Sequence, residues 1–504
     1  MRIPFPRLSI PLIFGGAAIL AIGLAKAPCW ASDTEPPTAP PETVLPAPSG
    51  PPETVLLAQS SRGGGKRVPA DCIECNPPKR FLPAFGELMA VQFIPWSVNH
   101  FARDAEWADI SPETWWTNMS NPWLWDNNQF LNNQFSHPYH GSLYFNAGRA
   151  NGYNFWESMA WAGGGSLMWE LYGEAWAPSP NDWFNTTLGG ISLGEMLWRV
   201  SSLTLDNTTS GSERTWREIG AAALNPVRGF HRLVSGETHG VRPNPDEWRP
   251  SKAQATFDIG YRRTNDLGSG GADLNQGYGE LTLYYGDQVD DLGDKPFSAT
   301  IVNVEIAPNQ GENVGALAQL RARGSLGAKT LSRSANRVTK LAAFMTYEYV
   351  NSPAVQFGGQ GFHGGLVSRW GKPRGNRTNF EFLGSFLPIS ALRSDYYVTL
   401  EGRDYDYGPS FGGWSRLMRV WEGKGLLSAT ARTLYTPIVS GFNGDHIQFS
   451  AVTEGRFYPN GRLGAGASWT YYYRNSWYDD FPDVKRDGTQ ARVFLAYAFP
   501  RWQP

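Results

Sequence analysis

From about residue 251 to the C-terminus, apolar side chains recur at every second position. Ala253, Ala255, Phe257, Ile259 and Tyr261 alternate with Gln254, Thr256, Asp258 and Arg262. Leu341, Ala343, Met345, Tyr347 and Tyr349 share one face, as do Leu463, Ala465, Ala467, Trp469, Tyr471 and Tyr473. Ala491, Val493, Leu495, Tyr497 and Phe499 close the chain on the same pattern. A period of two is that of a strand with one apolar face. About twelve such runs follow one another, separated by turn chemistry such as Asn443-Gly444, Asn460-Gly461 and Asp487-Gly488. The runs are long enough to cross hydrocarbon when tilted, and aromatics gather at strand ends, as at Tyr471-Tyr472-Tyr473 and Trp477-Tyr478. A soluble sandwich or propeller is the competing reading. The length, the girdle and the terminal Phe499 favour an antiparallel transmembrane β-barrel of about twelve strands over residues 251–504.

Upstream the period changes. Residues 71–250 are rich in Trp, Asn and Gly and read as a helical domain. Asn154 with Glu157 forms a capping box for an apolar helix running from Phe155 towards Tyr172, in which Gly163, Gly164 and Gly165 permit close backbone approach. Ser179-Pro180-Asn181-Asp182 starts another helix, followed by Leu188 to Leu197, and a further one runs near Arg214 to Leu224 and breaks at Pro226. The apolar helices favour packing against or inside the barrel, as an accessory or a plug.

Residues 1–31 have the form of a cleaved signal peptide, with Arg2 and Arg7 before the apolar stretch Leu8 to Ala25, and cleavage is expected after Ala31. An uncleaved anchor is the alternative there. No other segment is expected to cross a bilayer as a helix. Residues 32–70, crowded with proline and carrying Pro-Glu-Thr-Val-Leu twice, read as a disordered linker.

Composition narrows the class. Net charge is −2, so nucleic acid is not an expected partner. A mean hydropathy of −0.38 is too polar for a helical membrane bundle, while 56 Gly, 21 Trp and 21 Tyr suit a barrel. The expected setting is the outer membrane of a Gram-negative-type envelope, with its lipids and the barrel assembly machinery as partners. Cys72 and Cys75 form a C-x-x-C pair, for which a disulfide, a redox motif and half a metal site are all readings. A local disulfide is the preferred one in an oxidising compartment. The aspartates 287, 290, 291 and 294 read as a solvated acidic turn rather than a calcium loop, and no metal or cofactor is expected.

Chemistry concentrates in one block: His137-Pro138-Tyr139-His140-Gly141, Arg149, Trp169-Glu170, Glu174, Ser179, Asp182, Gly189-Gly190 and Gly194-Glu195, then Asn225-Pro226 and Arg228-Gly229-Phe230. In these residues, over roughly 80–245, the sequence resembles a bacterial family known as domain of unknown function 3943. The resemblance implies an envelope protein with a C-terminal barrel and brings no activity. Read physically, the block sets ionisable groups among many aromatics, where charges are costly unless paired. One expectation is structural: Arg149 pairs with Glu170 or Glu174, the histidines cap helices, and Ser179 and Asp182 start the next helix. The other is catalytic: His140 as base, Glu170 or Asp182 as orienter and Ser179 as nucleophile, acting on lipid or lipopolysaccharide esters. Against it, no Gly-x-Ser-x-Gly elbow surrounds Ser179. His137 and His140 are a weak metal pair across a proline. Whether the helical part plugs the barrel or stands beside it, and which small molecule is the substrate, are left open by the sequence.

Overall fold

The computed structural model describes Cys75 and residues 77–500, apart from 76, 266–272, 294, 309–315 and 353. The expected signal peptide, the linker and Cys72 lie outside the described residues; Cys75 is disulfide-bonded.

Twelve strands follow one another and close on themselves: β1 Ala253–Thr264, β2 Leu274–Tyr285, β3 Thr300–Ile306, β4 Leu317–Ser334, β5 Arg337–Asn351, β6 Gln356–Trp370, β7 Arg377–Arg393, β8 Tyr405–Trp421, β9 Gly425–Pro437, β10 Gly444–Phe457, β11 Leu463–Tyr478 and β12 Val484–Phe499. All neighbours are antiparallel, and β1 pairs with β12 with Phe257 opposite Tyr497 and Ile259 opposite Leu495. Closure leaves no unpaired edge, as a strand-built membrane body requires. Two of the expected turns sit between strands, near Asn443 and Asn460. Asp487-Gly488 instead lies inside β12, where Gly488 is paired opposite Tyr472.

The alternation sorts the side chains by face. Asp258, Arg262, Glu280, Glu305, Glu348, Arg432, Arg456 and Arg492 point inward and join across the lumen. Arg456 reaches Asp258 at 2.8 Å, Arg432 reaches Glu348 at 2.7 Å, and Arg492 reaches Glu305 at 2.9 Å. The positions that are apolar in sequence point outward, and Ile259, Leu417, Leu427, Val493 and Leu495 are exposed.

The helices are α1 Phe81–Ser97, α2 Pro112–Ser120, α3 His137–Ala150, α4 Phe155–Met168, α5 Pro180–Phe184, α6 Gly190–Thr204, α7 Gly211–Leu224 and α8 Pro226–Val234. The capping box at Asn154 and Glu157 is present, with both hydrogen bonds at 3.0 Å. Wide turns at Asn132–Ser136, Trp169–Gly173 and Asn185–Gly189 extend the helices beyond what the apolar period marks. Phe81–Ala102 is long and apolar enough to cross a membrane by length and composition, contrary to expectation. Pro83 and Pro95 depress its helical appearance in sequence, yet Pro83 falls in the first turn, where the missing N–H is no loss.

The helical body stands outside the barrel. Phe130, Phe135, Leu193, Met196, Leu197 and Val200 pack with Leu283, Val302, Val304, Leu320, Tyr347, Tyr349, Tyr405 and Tyr407, all on the outward face of β2 to β8. The accessory reading therefore holds and the plug reading does not, for this body. The connection between β2 and β3 fills one end of the lumen instead. Its Val289 and Leu292 pack with the inward Val338, Ala342, Phe344 and Val367. Lys340 Nζ donates to the Asp290 and Leu292 carbonyls at 2.9 and 2.8 Å. Asp290, expected in a solvated turn, pairs with the buried Arg369 at 2.7 Å. The same connection leaves the rim at Phe297, which packs on Phe155 of the helical body.

Candidate functional site

Two places gather chemistry: the polar heart of the helical body and the open part of the lumen.

In the first, glycines set the geometry. A Cβ on Gly190 would meet the Gly141 backbone at 2.5 Å, and one on Gly194 would meet the Phe145 ring at 2.6 Å, so α3 and α6 approach closely along this seam. Gly165 likewise makes room for the Tyr144 ring, whereas Gly164 faces open space. Across the seam Arg149 meets Glu195, not Glu170 or Glu174: Arg149 Nε lies 2.9 Å from Glu195 Oε2. Arg199 binds the other oxygen at 2.8 Å, and the Glu195 carboxylate is fully buried between them. The reason is positional. Arg149 sits in the last turn of α3 and faces α6, while Glu170 lies past the far end of α4. Arg149 and Arg228 also stack on Trp198, at 4.8 and 3.9 Å from its ring centre.

Glu170, Ser179 and Asp182 do come together, as a helix start. The Ser179 amide donates to Glu170 Oε2 at 2.8 Å, and Ser179 Oγ accepts from the Asp182 amide while donating to Asn181 Oδ1 at 2.7 Å. Asn181 Nδ2 donates to Asp182 Oδ1 at 2.9 Å. His140 is engaged elsewhere: its Nε2 lies 3.2 Å from both the Val91 carbonyl and Tyr144 Oη, and its ring meets Trp169 edge-on. The histidine beside Asp182 is His137, at 3.7 Å. Ser179 Oγ thus serves the α5 cap and Asn181, and His140 makes no hydrogen bond with it.

Burial sets the protonation here. Glu170 and Asp182 are pushed well above the usual carboxylate range, first by burial and then by neighbouring carboxylates: Glu174 and Asp182 for Glu170, Asp126 for Asp182. The half-buried Glu174 is raised in the same way. His140 is lowered to about 4 by burial, and burial lowers His137 too. Burial thus favours the uncharged forms of Glu170, Glu174, Asp182, His137 and His140, which are held by hydrogen bonds.

These polar groups tie the body to the wall. Tyr407 Oη accepts from Gln134 Nε2 at 3.1 Å, Asn181 Nδ2 at 3.4 Å and Asn185 Nδ2 at 3.2 Å. Asn133 donates to Tyr405 Oη, and Tyr405 Oη donates to the Asn128 carbonyl, both at 2.8 Å. Tyr347 Oη donates to the Gln134 carbonyl at 2.5 Å. Gly358 supplies the space: a Cβ there would overlap the Gln134 amide. Sequence reading missed Asn133, Gln134 and Asn185 because they sit in the wide turns.

The second place is a cavity of about 630 Å³ at the other end of the lumen. Its lining includes Arg321, Arg432, Gln448, Tyr472, Arg474 and Arg486. The connection between β7 and β8 crosses above it. Asp395 accepts from Arg474 at 2.5 Å and Arg486 at 2.7 Å on the opposite wall, and Tyr396 stacks on Phe481 at 4.8 Å. Tyr397 and Thr399 of the same connection reach Asn127 of the helical body. Among the described residues no group of three or more His, Cys, Asp or Glu side chains is placed to hold a metal.

Residues 122–227 match the model of a domain of unknown function, DUF3943. No curated protein matches. Several solved structures are similar over the barrel. The NanC porin in a rhombohedral crystal form is 8% identical, with 48% of this chain and 98% of that one covered and a TM-score of 0.28. OmpT, an outer membrane protein of Vibrio cholerae, is 7% identical, with 49% and 97% covered and a TM-score of 0.20. The outer membrane channel DcaP of Acinetobacter baumannii is 10% identical, with 49% and 96% covered and a TM-score of 0.20.

Proposed function

We propose that the protein is an outer-membrane β-barrel with a transport-type role, which admits a small polar solute into its lumen and carries a helical body on its lipid-facing wall. The observation that carries this reading is the lumen itself: charged inward side chains surround a cavity of about 630 Å³ inside a closed, outwardly apolar barrel. The strand β12, which closes the barrel against β1, is then the segment offered to the assembly machinery. A bilayer setting for the helical body is supported by its apolar surface. α1 exposes Phe81, Leu82, Phe93 and Ile94, and the barrel exposes Ile259 and Leu495, so acyl chains would cover both. The motif block then has a structural task, which is to seat the body on Tyr405 and Tyr407. Hydrolysis of an envelope ester is disfavoured by geometry, since Ser179 Oγ donates to Asn181 and makes no hydrogen bond with His140.

The test is solute entry. The β2–β3 connection blocks one end of the lumen through Lys340 and Arg369. Combining Lys340→Ala with Arg369→Gln should loosen it and raise the conductance of refolded protein in a planar bilayer several-fold over wild type. Heat-dependent gel migration checks that the barrel has formed. If neither wild type nor the variant conducts, and neither lets liposomes swell in small sugars, the transport reading is wrong.

A further inference from the structure

We infer that the lumenal cavity under the β7–β8 connection is a binding site for the oxyanion of a small solute, a carboxylate or a phosphate; this rests on the transport reading and names its substrate class. Four arginines point into the cavity, at 321, 432, 474 and 486, against two acids, Asp395 and Asp404. The acids are already engaged. Asp395 is clamped by Arg474 and Arg486, and its other oxygen receives Tyr478 Oη. Asp404 accepts from Gln356. Glu348, behind the wall, is shared by Arg432 at 2.7 Å and Arg321 at 3.4 Å. Even with Glu348 counted, cationic groups exceed anionic ones.

The surplus has free hydrogens. Arg432 Nε and Nη2 and Arg474 Nε are buried and have no protein acceptor. A guanidinium presents its donors as a planar fork that matches two oxygens of a carboxylate or phosphate. Buried donors without acceptors are costly, so a ligand that supplies oxygens gains more here than it would at the surface. Gln448, Ser450 and Tyr472 add neutral polar groups around the arginines, which suits a hydroxylated solute rather than an apolar one. A volume of about 630 Å³ lies in the range of small-molecule sites. Leu434 and Val398 give the remaining wall its apolar part.

The experiment uses the mature chain refolded in detergent micelles, titrated by calorimetry with D-glucuronate, with inorganic phosphate and with D-glucose. Saturable binding of glucuronate or phosphate is expected, and none of glucose at the same concentrations; which of the two anions binds decides between a carboxylate and a phosphate. Arg432→Gln should weaken binding at least tenfold. Because that change also strips a partner from Glu348, a second variant is needed. Gln448→Glu sets a negative charge opposite Arg474 in the strand register and breaks no ion pair. It should weaken anion binding by a similar factor, with normal heat-dependent migration. Equal binding of glucose, no binding of either anion to wild type, or unchanged affinity in a folded Gln448→Glu protein overturns the proposal. Conductance separates this from the reading beneath it. A barrel that conducts without binding anions keeps the transport role and loses the site, while anion binding without conductance or swelling keeps the site and loses transport.

Discussion

The Glu195 carboxylate lies between two guanidiniums with no exposure to solvent, and its worth is that of the network rather than of a single pair. Removing one partner of a buried pair leaves an uncompensated charge, at a cost of about 3–5 kcal/mol. Glu195→Gln should therefore destabilise the helical body by that order, read as lost protease resistance of residues 81–234, while the closed sheet of the barrel stays intact by gel migration. Glu170→Gln should do little, because burial disfavours the charged carboxylate and an amide resembles the uncharged acid. The same contrast gives a pH effect. Glu170 and Asp182 have folded-state values raised above those of the unfolded chain. Their contribution is fully present below the unfolded value and is lost as pH rises through the raised one. Wild type should lose helical-body stability towards alkaline pH, and the combination of Glu170→Gln with Asp182→Asn should flatten that slope. An identical slope in both proteins would refute the assignment of neutral acids. The sequence made it legible that Arg149 needs a buried acid. It could not say which one, since that depends on the helix that faces α3, and the Gly141–Gly190 seam decides this in three dimensions.

At the scale of elements, the period of two and its turns were readable because each strand's face is written locally. What lies against that face is not. Tyr347, Tyr349, Tyr405 and Tyr407 continue the outward rows of β5 and β8, yet the helical body buries them completely. A tyrosine row reads the same under lipid or under a helix. The wide turns escaped for a different reason: they shift the helical phase, so Asn133, Gln134 and Asn185 reach the wall from positions the 3.6 period assigns elsewhere. Docking can be tested at its hub. Tyr407→Phe removes the acceptor of three buried amide donors, and leaving buried donors unmet costs about 1–3 kcal/mol. The variant should keep its gel shift and β-sheet signal but release residues 122–227 to limited proteolysis at lower temperature. Equal protease resistance of variant and wild type would show that apolar packing alone seats the body.

The molecule as a whole is asymmetric. One arc of the barrel wall, from β9 round to β12 and into β1, presents its apolar face directly, and the arc from β2 to β8 carries the helices while still exposing Leu341, Phe382, Phe386, Phe411 and Leu417. The outer surface nevertheless stays apolar all the way round. On the second arc α1 takes over the role of the strands, with Phe81, Leu82, Phe93, Ile94 and Phe101 exposed. Such a surface in water would be an aggregation liability, whereas in a bilayer it extends the belt. The arrangement also explains why one chain holds both parts. The β7–β8 connection touches Asn127 on the helical side and Arg474 and Arg486 over the cavity, so the body steadies the segment that covers the lumen. A lipid carrying a photoreactive group on its acyl chain distinguishes this arrangement from a body held in the periplasm. After illumination of reconstituted protein, peptides from α1 and from β9, β11 and β12 should carry the label. The outward tyrosines of β5, Tyr347 and Tyr349, should remain unlabelled because the body covers them. In Tyr407→Phe protein warmed until the body loosens, label should appear on those same two tyrosines. Label on Tyr347 or Tyr349 and none on α1 in folded wild type would mean that the helices leave the wall in a membrane, and the embedded placement would have to be abandoned.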